Sequence, residues 1–223
     1  MTGQTIELTA ADGHRFSAYL SQPAGQPRGG LIVLQEIFGL TGQMKRCADR
    51  FAEAGYATIL PAQFDRVEKD RVIDYADFQA GGTIAMSISE PDLLADMEAA
   101  RLSVAGAGAT AAIGYCFGGT NAYIAACQLP ICCAVSYYGG GISRLVGRMS
   151  PQVPVLYHFG GTDHYIPEST IDEIRTADPG GTFFSYEGAG HGFSCDDRDS
   201  YSEAAAVLAE ERSLQFLAEH VGR

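Results

Sequence analysis

The hexapeptide Gly114-Tyr115-Cys116-Phe117-Gly118-Gly119 sets a thiol between glycines, where an apolar run gives way to small residues. A nucleophile held on a sharp strand-to-helix turn needs this pattern. Flanking glycines let strand and helix approach without Cβ clashes, and the turn aims backbone N–H groups and a helix N-terminus at the side chain. This is the G-x-S-x-G elbow with cysteine in place of serine, and attack on a carbonyl is the chemistry it suits. A buried cysteine in a glycine-rich turn would leave the same hexapeptide. An ordinary thiol ionises near about pH 8.5, so a nucleophilic cysteine at neutral pH calls for a base.

Two downstream segments can supply one. Gly160-Gly161-Thr162-Asp163 follows the apolar run 153–159, and Gly188-Ala189-Gly190-His191-Gly192-Phe193 follows a second run at 182–186. Taken alone, Asp163 reads as a turn former and His191 as a surface histidine. The order nucleophile, acid, histidine, each at a strand end, lifts Cys116, Asp163 and His191 together. His14 and His220 lack a strand-end setting; His158 lies inside a run, and His164 beside Asp163 fits packing or a substrate contact equally.

These positions require a scaffold that brings several strand ends to one edge. Residues 31–35 read as a buried strand after a Pro/Gly-rich loop, 43–54 as a helix ended by Gly55, and 56–60 as a strand stopped by Pro61. A helix is expected around 91–103, a strand at 110–115 leading into Cys116, and a helix over 118–126. Strands at 131–138, 153–159 and 182–186 follow, then a final helix over about 200–220. Strands alternating with helices imply a mainly parallel sheet covered on both faces, and no repeat or linker divides residues 1–223 into more than one domain. The run Gly139-Gly140-Gly141 is expected to be a flexible loop near the pocket.

Composition narrows the function. The chain is 46% hydrophobic and 19% charged, the balance of a globular protein. Its formal charge of -12 opposes binding to nucleic acid or an anionic membrane, and an anionic substrate would need a local cationic pocket. With no signal-like start and no membrane-length apolar run, the cytoplasm is the expected location. The cysteines Cys47, Cys116, Cys127, Cys132, Cys133 and Cys195 show no zinc or CxxC spacing, so they read as reduced thiols. No phosphate loop, dinucleotide fingerprint or metal cluster points to a cofactor.

Gln35-Glu36-Ile37-Phe38-Gly39, the elbow, Tyr137-Tyr138-Gly139, Gly160-Gly161-Thr162-Asp163-His164 and Gly190-His191-Gly192-Phe193 span most of the chain. In these motifs it resembles the dienelactone hydrolases, or carboxymethylenebutenolidases. The resemblance implies the α/β-hydrolase fold and cleavage of a small enol-lactone or activated ester without a cofactor, as in aromatic compound degradation, by a monomer or small homo-oligomer. It implies Cys116 as nucleophile, His191 as base and Asp163 as the orienting acid. It further implies Glu36 as a carboxylate beside the thiol, and the N–H groups of Ile37 and Phe117 as an oxyanion hole. Such a carboxylate can hold the resting thiol protonated until substrate arrives; a Glu36 paired with a nearby arginine, such as Arg46, is the plain alternative.

The departures concern the substrate. The family's carboxylate-binding arginine four residues beyond the histidine is Cys195 here, and the nearest arginine is Arg198. A second arginine is expected within 65–75, where Lys69 and Arg71 are both candidates, and Pro61 is followed by Ala62 where the family often has Asp. A thiolate departs readily from a tetrahedral intermediate, so reaction goes forward only when the other group is a stable enolate or phenolate. That favours enol-lactones and activated esters over amides. A carboxylesterase or thioesterase for neutral esters is the alternative within the fold; a ligand-binding or thiol redox-sensing protein is the alternative outside it.

Overall fold

The computed structural model describes residues 3–221, so the outermost two residues of the expected domain at either end lie outside the described range. Eight strands form one sheet: β1 Gln4–Thr9, β2 Arg15–Ser21, β3 Gly30–Leu34, β4 Ala57–Pro61, β5 Thr110–Tyr115, β6 Ala134–Tyr137, β7 Val155–Gly160 and β8 Thr182–Tyr186. Their spatial order is β1-β2-β4-β3-β5-β6-β7-β8. The first two strands pair antiparallel, β2 joins β4 antiparallel, and every pairing from β4 to β8 is parallel.

Burial explains the strand compositions. Every residue of β3, β4, β5, β6 and β7 is buried, which is why these strands read as unbroken apolar runs. At the edge, β1 leaves alternate residues exposed and shields its neighbour rather than joining the core. Among the described residues six α-helices cover the sheet: α1 Gly42–Glu53, α2 Phe78–Ser87, α3 Glu90–Val104, α4 Phe117–Gln128, α5 Glu168–Ala177 and α6 Glu203–His220. Thr41, Asp77 and Ser89 cap α1, α2 and α3 by accepting from N–H groups in the first turn. α4 differs: its N-cap is Cys116, which makes no side-chain capping bond.

The anticipated parallel sheet with helices on both faces is present, and its ends fall within a few residues of the sequence reading. The strand expected over 131–138 is shorter, beginning at Ala134, because Ile131 turns back to bond Leu129. β1, β2, α2 and α5 carried too weak a pattern to be anticipated. One expectation is corrected: Gly140–Arg144 is a turn of 3-10 helix, and Gly139 is packed rather than loose. A Cβ on Gly139 would lie 2.9 Å from the carbonyl carbon of Gly119, so the glycine there permits backbone contact with α4.

Candidate active site

Parallel pairing sends the carboxyl ends of β3, β5, β6, β7 and β8 to one edge, and each delivers a residue there: Glu36, Cys116, Tyr138, Asp163 and His191. Cys116 has φ 55° and ψ -110°, the left-handed backbone of a sharp elbow. Its N–H donates to the Tyr137 carbonyl at 2.9 Å, and the Gly118 N–H donates to the Gln35 carbonyl at 2.9 Å. These bonds hold the turn between two strands. The glycines are required by contact: a Cβ on Gly114 would collide with the Gly118 carbonyl, and one on Gly118 with the Leu34 carbonyl.

The three residues of the sequence-derived set meet. His191 Nε2 lies 3.1 Å from Cys116 Sγ, and its Nδ1 lies 2.8 Å from Asp163 Oδ2. Asp163 is buried, and its second oxygen accepts from the Tyr165 N–H at 2.8 Å, which fixes the carboxylate plane. Burial works against a charged imidazole at His191, but the Asp163 carboxylate and the Cys116 sulfur outweigh it and hold His191 up at about 10. The site therefore favours an imidazolium between a carboxylate and a sulfur.

Glu36 lies beside this set, 2% exposed. Burial pushes its carboxyl above the ordinary range, opposed by Arg198, His191 and a hydrogen bond from Tyr138. The Tyr138 hydroxyl donates to Glu36 Oε1 at 3.0 Å, and Arg198 approaches Oε2 at 3.8 Å. Glu36 thus has a nearby arginine, but it is Arg198 and not Arg46, which reaches Asp196 and Asp197 instead. Ile37 follows directly, and Gly81 of α2 lies so close that a Cβ there would collide with the Ile37 carbonyl. Phe117 opens α4, so its N–H has no carbonyl of its own helix to meet.

The cationic candidates separate. Arg198 stands over the Phe38 ring at 5.3 Å and next to Glu36. Arg71 meets Glu68 at 3.5 Å and Lys69 approaches Glu7 at 3.8 Å, so both are engaged with surface carboxylates. Cys195, in the position where an arginine was awaited, is fully buried. His164 is exposed, whereas His158 is buried in β7 and bonded to Tyr186 and Ser213. Burial pushes Cys47 up to about 11 and Cys127 and Cys195 up to about 12, which leaves these three thiols inert near neutrality. Sequence reasoning assigned no role to Tyr138 or Ser194; the doubled tyrosine before Gly139 was the available signal for the first.

Comparison with known proteins gives a consistent picture. Residues 16–221 match the model of the dienelactone hydrolase family. The carboxymethylenebutenolidase of Pseudomonas putida is 32% identical over 98% of this chain and 97% of its own length. Carboxymethylenebutenolidase 1 of Cupriavidus pinatubonensis is 29% identical over the same shares. Among solved structures, a Klebsiella pneumoniae protein provisionally described as a dienelactone hydrolase superposes with a TM-score of 0.83 at 25% identity, covering 97% of this chain and all of the other. A dienelactone hydrolase-like promiscuous phosphotriesterase from metagenomic libraries gives 0.82 at 21% identity over the whole of both chains, a likeness of fold.

Proposed function

The chain belongs to the dienelactone hydrolase family, and we propose that it cleaves a small enol-lactone or activated ester through a thioester on Cys116. Membership makes it a hydrolase of ester or lactone bonds within the α/β-hydrolase fold. One observation carries the mechanism: a single imidazole bridges the Cys116 sulfur at 3.1 Å and a buried carboxylate at 2.8 Å. In the proposed cycle the sulfur attacks the carbonyl, and the oxyanion is met by the N–H groups of Ile37 and Phe117. The leaving enolate or phenolate takes the imidazolium proton, and the neutral His191, oriented by Asp163, then draws a proton from the water that hydrolyses the thioester. At rest Glu36 is a carboxylate that keeps the thiol protonated, and it takes the thiol proton when substrate enters.

Arg198 is the cation this reading assigns to a substrate carboxylate, because it is the arginine at ion-pair distance from Glu36 among the described residues. A second reading, hydrolysis of neutral esters, is favoured by the same contact, since Arg198 is already partnered. The substrate is thus a small molecule, handled without a cofactor by one domain spanning 1–223. Among the described residues no group of histidine, cysteine and carboxylate side chains is placed to hold a metal ion, and no helix is long and apolar enough to cross a membrane.

The direct test is turnover of 4-nitrophenyl acetate. Cys116→Ala should lose at least about a thousandfold in kcat/KM, whereas Cys127→Ala should keep the parent rate. Equal rates for Cys116→Ala and the parent would remove the nucleophile assignment.

A further inference from the structure

Glu36 is buried with Tyr138, Arg198 and His191 as its neighbours, so a proton it accepts from the thiol has to leave through protein. The Tyr138 hydroxyl, on a fully buried side chain, touches Glu36 Oε1 at 3.0 Å and Ser194 Oγ at 2.7 Å. Ser194 is half-buried and lines a partly open cavity of about 280 Å³ together with Arg50, Tyr115, Tyr201, Glu210 and Leu214. That volume accommodates several water molecules, each taking about 30 Å³. Its rim is wet: Tyr201 is 39% exposed, and Asp196 and Glu211 face solvent. A buried carboxyl, a buried phenol and a half-buried hydroxyl thus form a hydrogen-bonded series that ends at an acidic opening.

We propose that Tyr138 and Ser194 form the proton outlet of Glu36, with Ser194 a positioning residue for the hydrolytic reaction. This rests on the reading of Glu36 and Cys116 given above. At rest Tyr138 donates to the Glu36 carboxylate and Ser194 donates to Tyr138. Once Glu36 has taken the thiol proton, both hydroxyls turn. The Glu36 O–H bond then breaks as a new O–H bond forms at Tyr138. The original phenolic proton passes to Ser194, and the serine's own proton passes to water in the cavity. One proton enters the chain and one leaves, so neither hydroxyl changes its charge. Burial and the Glu36 carboxylate both push the Tyr138 phenol above its ordinary range, in keeping with a group that passes protons and remains neutral. Arg198 and His191 are the charged neighbours that would otherwise compete for Glu36.

The test compares Ser194→Ala, Ser194→Thr, Tyr138→Phe and Ser194→Ala/Tyr138→Phe in the full chain, with 4-nitrophenyl acetate in H2O and D2O. Ser194→Ala should lower kcat about tenfold with KM unchanged and enlarge the solvent isotope effect on kcat. Ser194→Thr, which keeps the hydroxyl, should recover the parent rate. The double variant should be no slower than Tyr138→Phe, because two links of one route do not add. The proposal is overturned if Ser194→Ala keeps the parent kcat and isotope effect, if Thr and Ala lose equally, or if the two losses multiply. Should Ser194→Ala fail to fold, Ser194→Cys provides the same comparison with a weaker hydrogen-bonding group. Cys116→Ala run in parallel separates the two levels, since its retained turnover would overturn the site reading along with the outlet.

Discussion

Two histidines near the same edge of the sheet have opposite fates. His158, in β7, is fully buried; its Nδ1 lies 2.8 Å from the Tyr186 hydroxyl and its Nε2 3.0 Å from Ser213 Oγ. Burial, with Arg212 adding to it, holds His158 down at about 3. His191, on the glycine-flanked loop after β8, is also desolvated, yet the Asp163 carboxylate and the Cys116 sulfur hold it up at about 10. Burial disfavours the charged ring in both places; what differs is whether the neighbours are hydroxyls or anions. A ring among hydroxyls stays neutral and braces the sheet against α6 through Ser213. A ring between a carboxylate and a sulfur can take a proton, keep it, and return it.

The comparison breaks first at Asp163. Asp163→Asn should keep the fold and lower kcat/KM for an activated ester by about 10^3 to 10^4-fold, because the histidine loses both its orientation and the charge that favours imidazolium. His158→Gln should leave kcat/KM within about threefold and cost about 1–3 kcal/mol of stability through its buried hydrogen bonds. If His158→Gln lost turnover as severely as Asp163→Asn with its melting temperature unchanged, the division between a bracing and a reacting histidine would fail.

Stability against pH sharpens the contrast with a smaller effect. The lowered His158 gives stability that is complete above its ordinary value of 6.5 and is lost as pH falls towards about 3. The raised His191 does the reverse, giving stability that is complete below 6.5 and is lost as pH climbs through about 10. Each pKa unit corresponds to about 1.4 kcal/mol, so either limb should amount to a few kcal/mol in urea unfolding. Relative to the parent, His158→Gln should flatten the acid limb alone and Asp163→Asn the alkaline limb alone. Parallel curves for all three proteins would refute the assignment of the limbs.

How much of this the sequence displayed depends on the distance over which each feature is encoded. Cys116, Asp163 and His191 were legible because each stands in a short glycine-marked strand end, and the ends share an edge by topology. The buried strands were legible as continuous apolar runs. β1 and β2 were not, since an edge pair needs only weak alternation, and α2 was masked by Gly81 and Gly82, which are poor helix formers. Gly81 is there for contact with the Ile37 backbone, a reason visible only in three dimensions. The Tyr138–Ser194 contact joins residues 56 positions apart; the doubled tyrosine before Gly139 marked Tyr138, but Ser194 has no local signature. His158 lay inside an apolar run, but its low proton affinity comes from burial and from Arg212 of α6, far along the chain.

The smallest effect concerns the cation on the reacting side. Arg198 is partly exposed, lies over Phe38 and sits 3.8 Å from Glu36, so it can exchange that carboxylate for one on the substrate. An exchange of one ion pair for another yields little net energy, since the arginine is never left bare. Arg198→Ala should therefore raise KM about tenfold for a carboxylate-bearing lactone, leave KM for 4-nitrophenyl acetate within about twofold, and leave kcat for both nearly intact. Arg71→Ala, already tied to Glu68 in the parent, should change neither. Equal KM changes for acidic and neutral substrates would show that Arg198 serves Glu36 alone, and would turn the reading of the substrate towards neutral esters.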